Sequence, residues 1–278
     1  MSGELRDARR DFLRRSAGLG LGASLPFASL FGLAGCRTHA PRRESSVNAV
    51  GYGPLRPVAD EATGLELLRL PDGFRYRSFG WSGESMRGGV IPLAHDGMGV
   101  VGQSGSVCTL IRNHEVTTST GAIGADSLQY EALAAGGCVA FDFDLDTGMA
   151  RDFRAVLGGT LQNCAGGTTP RGTWLSCEEM TFDPATGFDD KGRQRPELHK
   201  PHGYVFEVFP DGIRAPELIR GMGLFKHEAA ATDPATGIVY LTEDGRGPSG
   251  FYRYLPLDPE RLSKGGALQM LAVRGRAD

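Results

Sequence analysis

Two stretches of this chain place residues able to bind a metal at the same interval. Cys164, in Asn163-Cys164-Ala165-Gly166-Gly167, is followed fifteen residues later by Glu179, in Trp174-Leu175-Ser176-Cys177-Glu178-Glu179. Glu228, in His227-Glu228-Ala229, is followed fifteen residues later by Glu243, in Tyr240-Leu241-Thr242-Glu243-Asp244. Each reads as a ligand-grade residue in a loop, then a short apolar strand ending on two consecutive acids. A looser third copy runs from His95-Asp96-Gly97-Met98 to Asn113-His114-Glu115.

Hard cations such as calcium take roughly six to eight oxygen ligands, so they need several carboxylates at one point. Glu115, Glu178, Glu179, Glu228, Glu243 and Asp244 are the candidates. Gathered without a cation, they would repel one another. Cys164 adds a different chemistry, because a thiolate is a soft ligand suited to iron, zinc or copper. Gly166 and Gly167 would let the backbone approach an ion or oxyanion closely. Cys177 alternates away from Glu178 and reads as core, and Cys108 and Cys138 read as buried free thiols. His95, His114 and His227 each adjoin an acid, as ligands or as groups that fix a carboxylate. Arg246 follows Glu243-Asp244 closely and is the candidate for holding an anionic substrate. No G-x-S-x-G elbow, H-E-x-x-H, P-loop or C-x-x-C is present, so no dedicated side-chain nucleophile is expected.

The elements that must position these groups are short strands. The chain has 278 residues, of which 41 are glycine, about twice the usual share. Turn signals such as Asp183-Pro184-Ala185-Thr186-Gly187 and Asp233-Pro234-Ala235-Thr236-Gly237 punctuate apolar runs. The runs expected as strands are 74–79, 106–112, 138–144, 173–177, 204–209, 238–242 and 251–254; short helices are expected within 128–135 and 258–271. Glu115 to Glu178 is 63 residues and Glu178 to Glu243 is 65. A repeat of that length with several strands per unit predicts an all-β fold, a β-propeller whose acids converge at one channel mouth. The alternative is a β-sandwich with incidental surface acids. After the leader the chain is long enough for about four such units, which predicts a propeller shortened at its C-terminus. The net charge of −3 favours neither nucleic acid nor a charged membrane surface.

The first residues read as an address. Ala8-Arg9-Arg10-Asp11-Phe12-Leu13-Arg14 is a twin-arginine export pattern, and Leu33-Ala34-Gly35-Cys36 reads as a lipobox. Cys36 would then carry a lipid anchor; ordinary cleavage after Thr38-His39-Ala40 is the alternative. The expected organisation is a leader over 1–36, a flexible tether over 37–60 and a propeller domain over 61–278. The expected location is the periplasm or cell surface, reached through the twin-arginine export machinery, which carries folded proteins with their cofactors in place.

At these residues the chain resembles the PhoX family of alkaline phosphatases. The resemblance rests on the leader, His95-Asp96-Gly97-Met98, Asn113-His114-Glu115, the block from Asn163 to Glu179, His227-Glu228-Ala229-Ala230, Tyr240 to Asp244, and Ser249-Gly250-Phe251-Tyr252-Arg253-Tyr254. It implies a six-bladed propeller with a mixed iron and calcium cluster. In it Cys164 would bind iron, and Glu115, Glu178 or Glu179, Glu228, Glu243 and Asp244 would bind iron or calcium. The implied activity is hydrolysis of small phosphomonoesters outside the cytoplasm, for phosphate acquisition. Two readings stand beside it: a non-catalytic, calcium-stabilised surface propeller that binds a ligand or partner, and a lactonase-like metal hydrolase.

Overall fold

The computed structural model describes residues 51–245 and 247–275. The chain divides into two compact units, residues 1–78 and 79–278. Arg246, the twin-arginine leader and Cys36 lie outside the described residues.

The described part of the first unit is a hairpin of β1 (Arg56–Ala59) and β2 (Glu66–Leu70). The expected tether over 37–60 thus ends in a paired strand. Asp60 closes the hairpin, accepting from the Ala62, Thr63 and Ser78 amides and from the Thr63 and Ser78 hydroxyls. The run 74–79 has no strand; Tyr76 instead ties its hydroxyl to Leu65 O and the Leu67 amide.

The second unit opens with a short ribbon, β3 (Ser85–Met86) and β4 (Gly89–Val90). A four-stranded antiparallel sheet follows: β5 (His95–Ser104), β6 (Val107–His114), β7 (Gly136–Asp144) and β8 (Met149–Thr160). The second sheet begins with β9 (Asn163–Thr168) and β10 (Trp174–Glu178). The chain then makes an excursion through the pair β11 (Phe182–Asp183) and β12 (Phe188–Asp189). It returns to complete the sheet with β13 (Val205–Val208) and β14 (Glu217–Leu218). The third sheet is β15 (His227–Thr232), β16 (Val239–Glu243), β17 (Phe251–Pro256) and β18 (Gly266–Met270).

The all-β expectation holds. The two expected helices do not form: among the described residues there are only single 3₁₀ turns at Asp126–Leu128, Arg220–Met222 and Leu262–Lys264. Among the described residues the three large sheets do not close into a ring.

The sheets stack face to face. Ile111, Val156, Trp174, Phe206 and Val208 pack between the first and second. Leu175, Cys177, Val205, Leu241 and Tyr254 pack between the second and third. The second sheet is therefore buried on both faces, which is why Trp174-Leu175-Ser176-Cys177 shows no alternation of apolar and charged residues. Each large side chain buried here stabilises the stack by about 1.5–3 kcal/mol.

The first strands of the sheets run side by side, with β9 between β5 and β15. Their spacing is set by absent side chains. A Cβ on Gly167 would lie 1.8 Å from Ala230 O, and one on Gly97 2.9 Å from Ala165 Cα.

Candidate metal centre

The three first-to-second strand hairpins share one irregularity. His95 pairs with His114 and Met98 with Arg112, leaving Asp96 and Gly97 opposite the single residue Asn113. Asn163 pairs with Glu178 and Gly166 with Ser176, leaving Cys164 and Ala165 opposite Cys177. His227 pairs with Glu243 and Ala230 with Leu241, leaving Glu228 and Ala229 opposite Thr242. Two residues against one is a β-bulge, which bends a strand and re-aims a side chain. In every hairpin the first bulged residue is one that can bind a metal: Asp96, Cys164, Glu228. These residues lie on strands, where the sequence had suggested loops.

The returning strands supply the second member of each set. The Glu115 amide donates to Ala94 O at 2.8 Å, the Glu179 amide to Gln162 O at 2.9 Å, and the Asp244 amide to Lys226 O at 3.1 Å. These are equivalent positions, one residue beyond the ends of β6, β10 and β16. Each sheet thus delivers a pair: Asp96 with Glu115, Cys164 with Glu179, Glu228 with Asp244.

The pairs converge. Cys164 Sγ and one carboxylate oxygen each of Glu179 and Glu228 lie within 4.8 Å of one another. Glu115 lies beside Asp96, and Glu179 beside Asp244, close enough for each pair of carboxyl groups to interact. Burial holds Glu115 above the usual carboxylate range, helped by Asp96. Burial does the same to Glu179, with Asp244 adding to it. Glu228 is raised by burial and by the charges of Glu179, Asp244 and Asp96. Burial also pushes the Cys164 thiol far up. Among the described residues, Lys226 pairs directly with these acids, its Nζ 3.2 Å from Asp244 Oδ2 and 3.6 Å from Glu179 Oε1.

Two expected ligands point elsewhere, because successive strand residues face opposite sides. Glu178 is fully buried and accepts from the Leu161, Gly203 and Tyr204 amides, with His202 Nδ1 at 2.7 Å. Glu243 accepts from the Gly250 amide and the Tyr252 hydroxyl. The third-sheet interval is therefore sixteen residues, Glu228 to Asp244, rather than fifteen.

The histidines do not join the group. His114 and His227 are buried, with ring nitrogens 3.0 Å from Leu93 O and 3.3 Å from Gly223 O. Burial pushes their pKa down to about 3 and about 4, so they stay neutral. His95 stacks edge-on against His114 and lies 3.2 Å from the Ser82 hydroxyl. Cys177, Cys108 and Cys138 are buried free thiols as expected. Gly166 and Gly167 serve the packing of the strands. Their missing side chains admit Leu175 O and Ala230 O.

Sequence reasoning passed over four participants. Asp96 was visible in its motif and is marked by position, one residue after His95, as Cys164 follows Asn163. Asn113 gave no sign of its role: its Nδ2 donates to Cys164 O and Ala165 O, while Trp174 Nε1 and the Ser176 hydroxyl donate to its Oδ1. It thereby holds the bulge of the neighbouring sheet. Gln162 and Lys226 precede β9 and β15 and carry no motif.

The donor set fits a metal. Among the described residues it combines five carboxylates and one thiol with one directly paired ammonium, Lys226, and burial and mutual repulsion penalise its charged form until a cation is supplied. The sequence matches the family model for alkaline phosphatase PhoX over residues 50–144 and 137–278, and the chain belongs to this family of alkaline phosphatases. No match was found among curated proteins.

Proposed function

We propose that this chain is a metal-dependent phosphomonoester hydrolase, with a mixed iron and calcium centre held by the residues the three bulged hairpins bring together. The observation that carries the reading is the convergence of Cys164 with Glu179 and Glu228. A soft thiolate among hard oxygens suits iron beside calcium better than calcium alone. Cys164 would hold iron, and Asp96, Glu115, Glu179, Glu228 and Asp244 would share the remaining positions. The bound ions would polarise the phosphoryl oxygens, neutralise charge developing in the transition state and make water nucleophilic at moderate pH.

The chain's own residues supply placement. Asn113 fixes the Cys164 bulge through two carbonyls. Lys226 holds Glu179 and Asp244 in register. Arg246, two residues beyond Asp244, is the proposed anchor for the phosphate. The three stacked sheets are proposed as successive blades of a six-bladed propeller, with β5, β9 and β15 innermost. Export by the twin-arginine route, a lipid anchor on Cys36, and a place in the periplasm or cell surface for phosphate acquisition complete the proposal.

The test is hydrolysis of a generic aryl phosphate by the metal-loaded full chain. The proposal expects turnover that is lost in Glu179→Gln and Asp244→Asn. Bound metal without turnover would reject the enzyme and leave a metal-stabilised binding protein.

A further inference from the structure

We infer that Gln162 is a positioning residue that sets the distance between the acids of neighbouring sheets, with Lys191 fixing its amide from outside. This rests on the metal-centre reading above. Gln162 Nε2 donates to Glu115 Oε1 at 3.1 Å and to Glu179 Oε2 at 3.0 Å. Its backbone is tied to the same two segments: its N–H donates to Val116 O at 3.0 Å, and its carbonyl accepts from the Glu179 amide at 2.9 Å. Glu115 follows the first sheet's β6 and Glu179 follows the second sheet's β10. One residue therefore clamps both acid-bearing ends through main chain and side chain.

The amide has one consistent orientation. Both carboxylates require N–H donors, and Lys191 Nζ, 3.0 Å from Oε1, requires an acceptor. The lysine polarises the amide and strengthens its N–H bonds to the acids. It does so without placing a cation where the metal would sit.

Two further observations separate this from ordinary loop packing. Gln162 is buried yet has φ 49°, and Ala94, the equivalent residue of the first sheet, has φ 51°. A non-glycine residue in this region is uncommon and is retained where surrounding contacts over-determine it. Lys226, the equivalent residue of the third sheet, also reaches two acids, Glu179 of the second sheet and Asp244 of its own. The position before each inner strand thus links its own sheet's acid to that of the preceding sheet, in both cases where the side chain is long enough.

The test uses the full chain, stripped with chelator. Calcium is titrated by calorimetry, iron per chain is counted after reconstitution, and the thermal midpoint of the ion-free protein is recorded. Gln162→Gly should weaken calcium binding about tenfold, the effect typical of losing a group that orients ligands. Its ion-free midpoint should stay within a few degrees of the parent or rise, because glycine takes this φ without strain. Lys191→Met, on an exposed loop, should leave the midpoint unchanged and weaken calcium binding about threefold by the same reasoning. Parent-like calcium affinity and iron content in both variants would overturn the inference and leave the metal centre standing. So would a Gln162→Gly protein that loses binding and midpoint together while Lys191→Met matches the parent, since that marks a purely structural role. A parent that binds neither ion would overturn the metal reading and this inference with it.

Discussion

Glu178 and Glu179 are adjacent in sequence but face opposite sides of the end of one strand. Glu178 is sealed in the interior against His202 and three amides, while Glu179 meets Cys164 and Glu228. Removing the first strands buried donors; removing the second relieves repulsion. Glu178→Ala should therefore destabilise the fold by about 3 kcal/mol or more, seen as a lower denaturant midpoint. Glu179→Gln should leave the ion-free midpoint unchanged or higher while weakening metal binding.

The same alternation separates Glu243 from Asp244. Glu243 is engaged by Gly250 and Tyr252, and Asp244 by Glu179 and Lys226. Asp244→Asn should weaken calcium affinity tenfold or more, in the range seen when a metal site loses a supporting group. Glu243→Gln should stay within about twofold of the parent. Titration calorimetry on both variants checks the sixteen-residue interval directly.

Gly167 tests the packing of the inner strands. A Cβ there would lie 1.8 Å from Ala230 O, a backbone atom that cannot rotate away. Gly167→Ala should cost more than about 3 kcal/mol, at or beyond the upper end of ordinary overpacking. Gly187→Ala, at φ 76° on a turn with open space around the added methyl, should cost about 1 kcal/mol from backbone conformation alone. Chemical denaturation of the two variants compares them.

That packing explains what was legible in the sequence. Outer strands such as β7 and β13 are rich in Val and Phe and stand out from their flanking turns. The inner strands do not: Asn163-Cys164-Ala165-Gly166-Gly167-Thr168 and His227-Glu228-Ala229-Ala230-Ala231-Thr232 are small because β5, β9 and β15 approach so closely. Strand propensity measures fit to a half-buried pleated surface, and these strands lie where side chains do not fit. The acids and the thiol were legible by type and near-repeat. Their exact membership was not, because one-residue bulges decide whether Glu243 or Asp244 faces the centre. The partners of Glu178 come from His202 and Gly203, across a loop whose folding no local pattern announces.

Asp60 gives the first unit a defined acid sensitivity. Burial alone would raise its pKa, but bonds from Ser78, Thr63 and Ala62 outweigh that and hold it down at about 2, against an ordinary 3.8. A carboxylate depressed in the folded state contributes stability above its unfolded pKa and loses it as pH falls through its folded one. Protection of the Thr63 and Ser78 amides against hydrogen exchange should be constant above about pH 4. It should fall between about pH 4 and pH 2 by up to ~2 kcal/mol. In Asp60→Asn that pH dependence should vanish.

The bulged hairpins are proposed to assemble one mixed metal centre around Cys164. Elemental analysis of the purified full chain beside Cys164→Ser tests it most directly. Iron and calcium together are expected in the parent, with selective loss of iron and retention of calcium in the serine variant. Calcium without iron in the parent, or unchanged iron in Cys164→Ser, would contradict it.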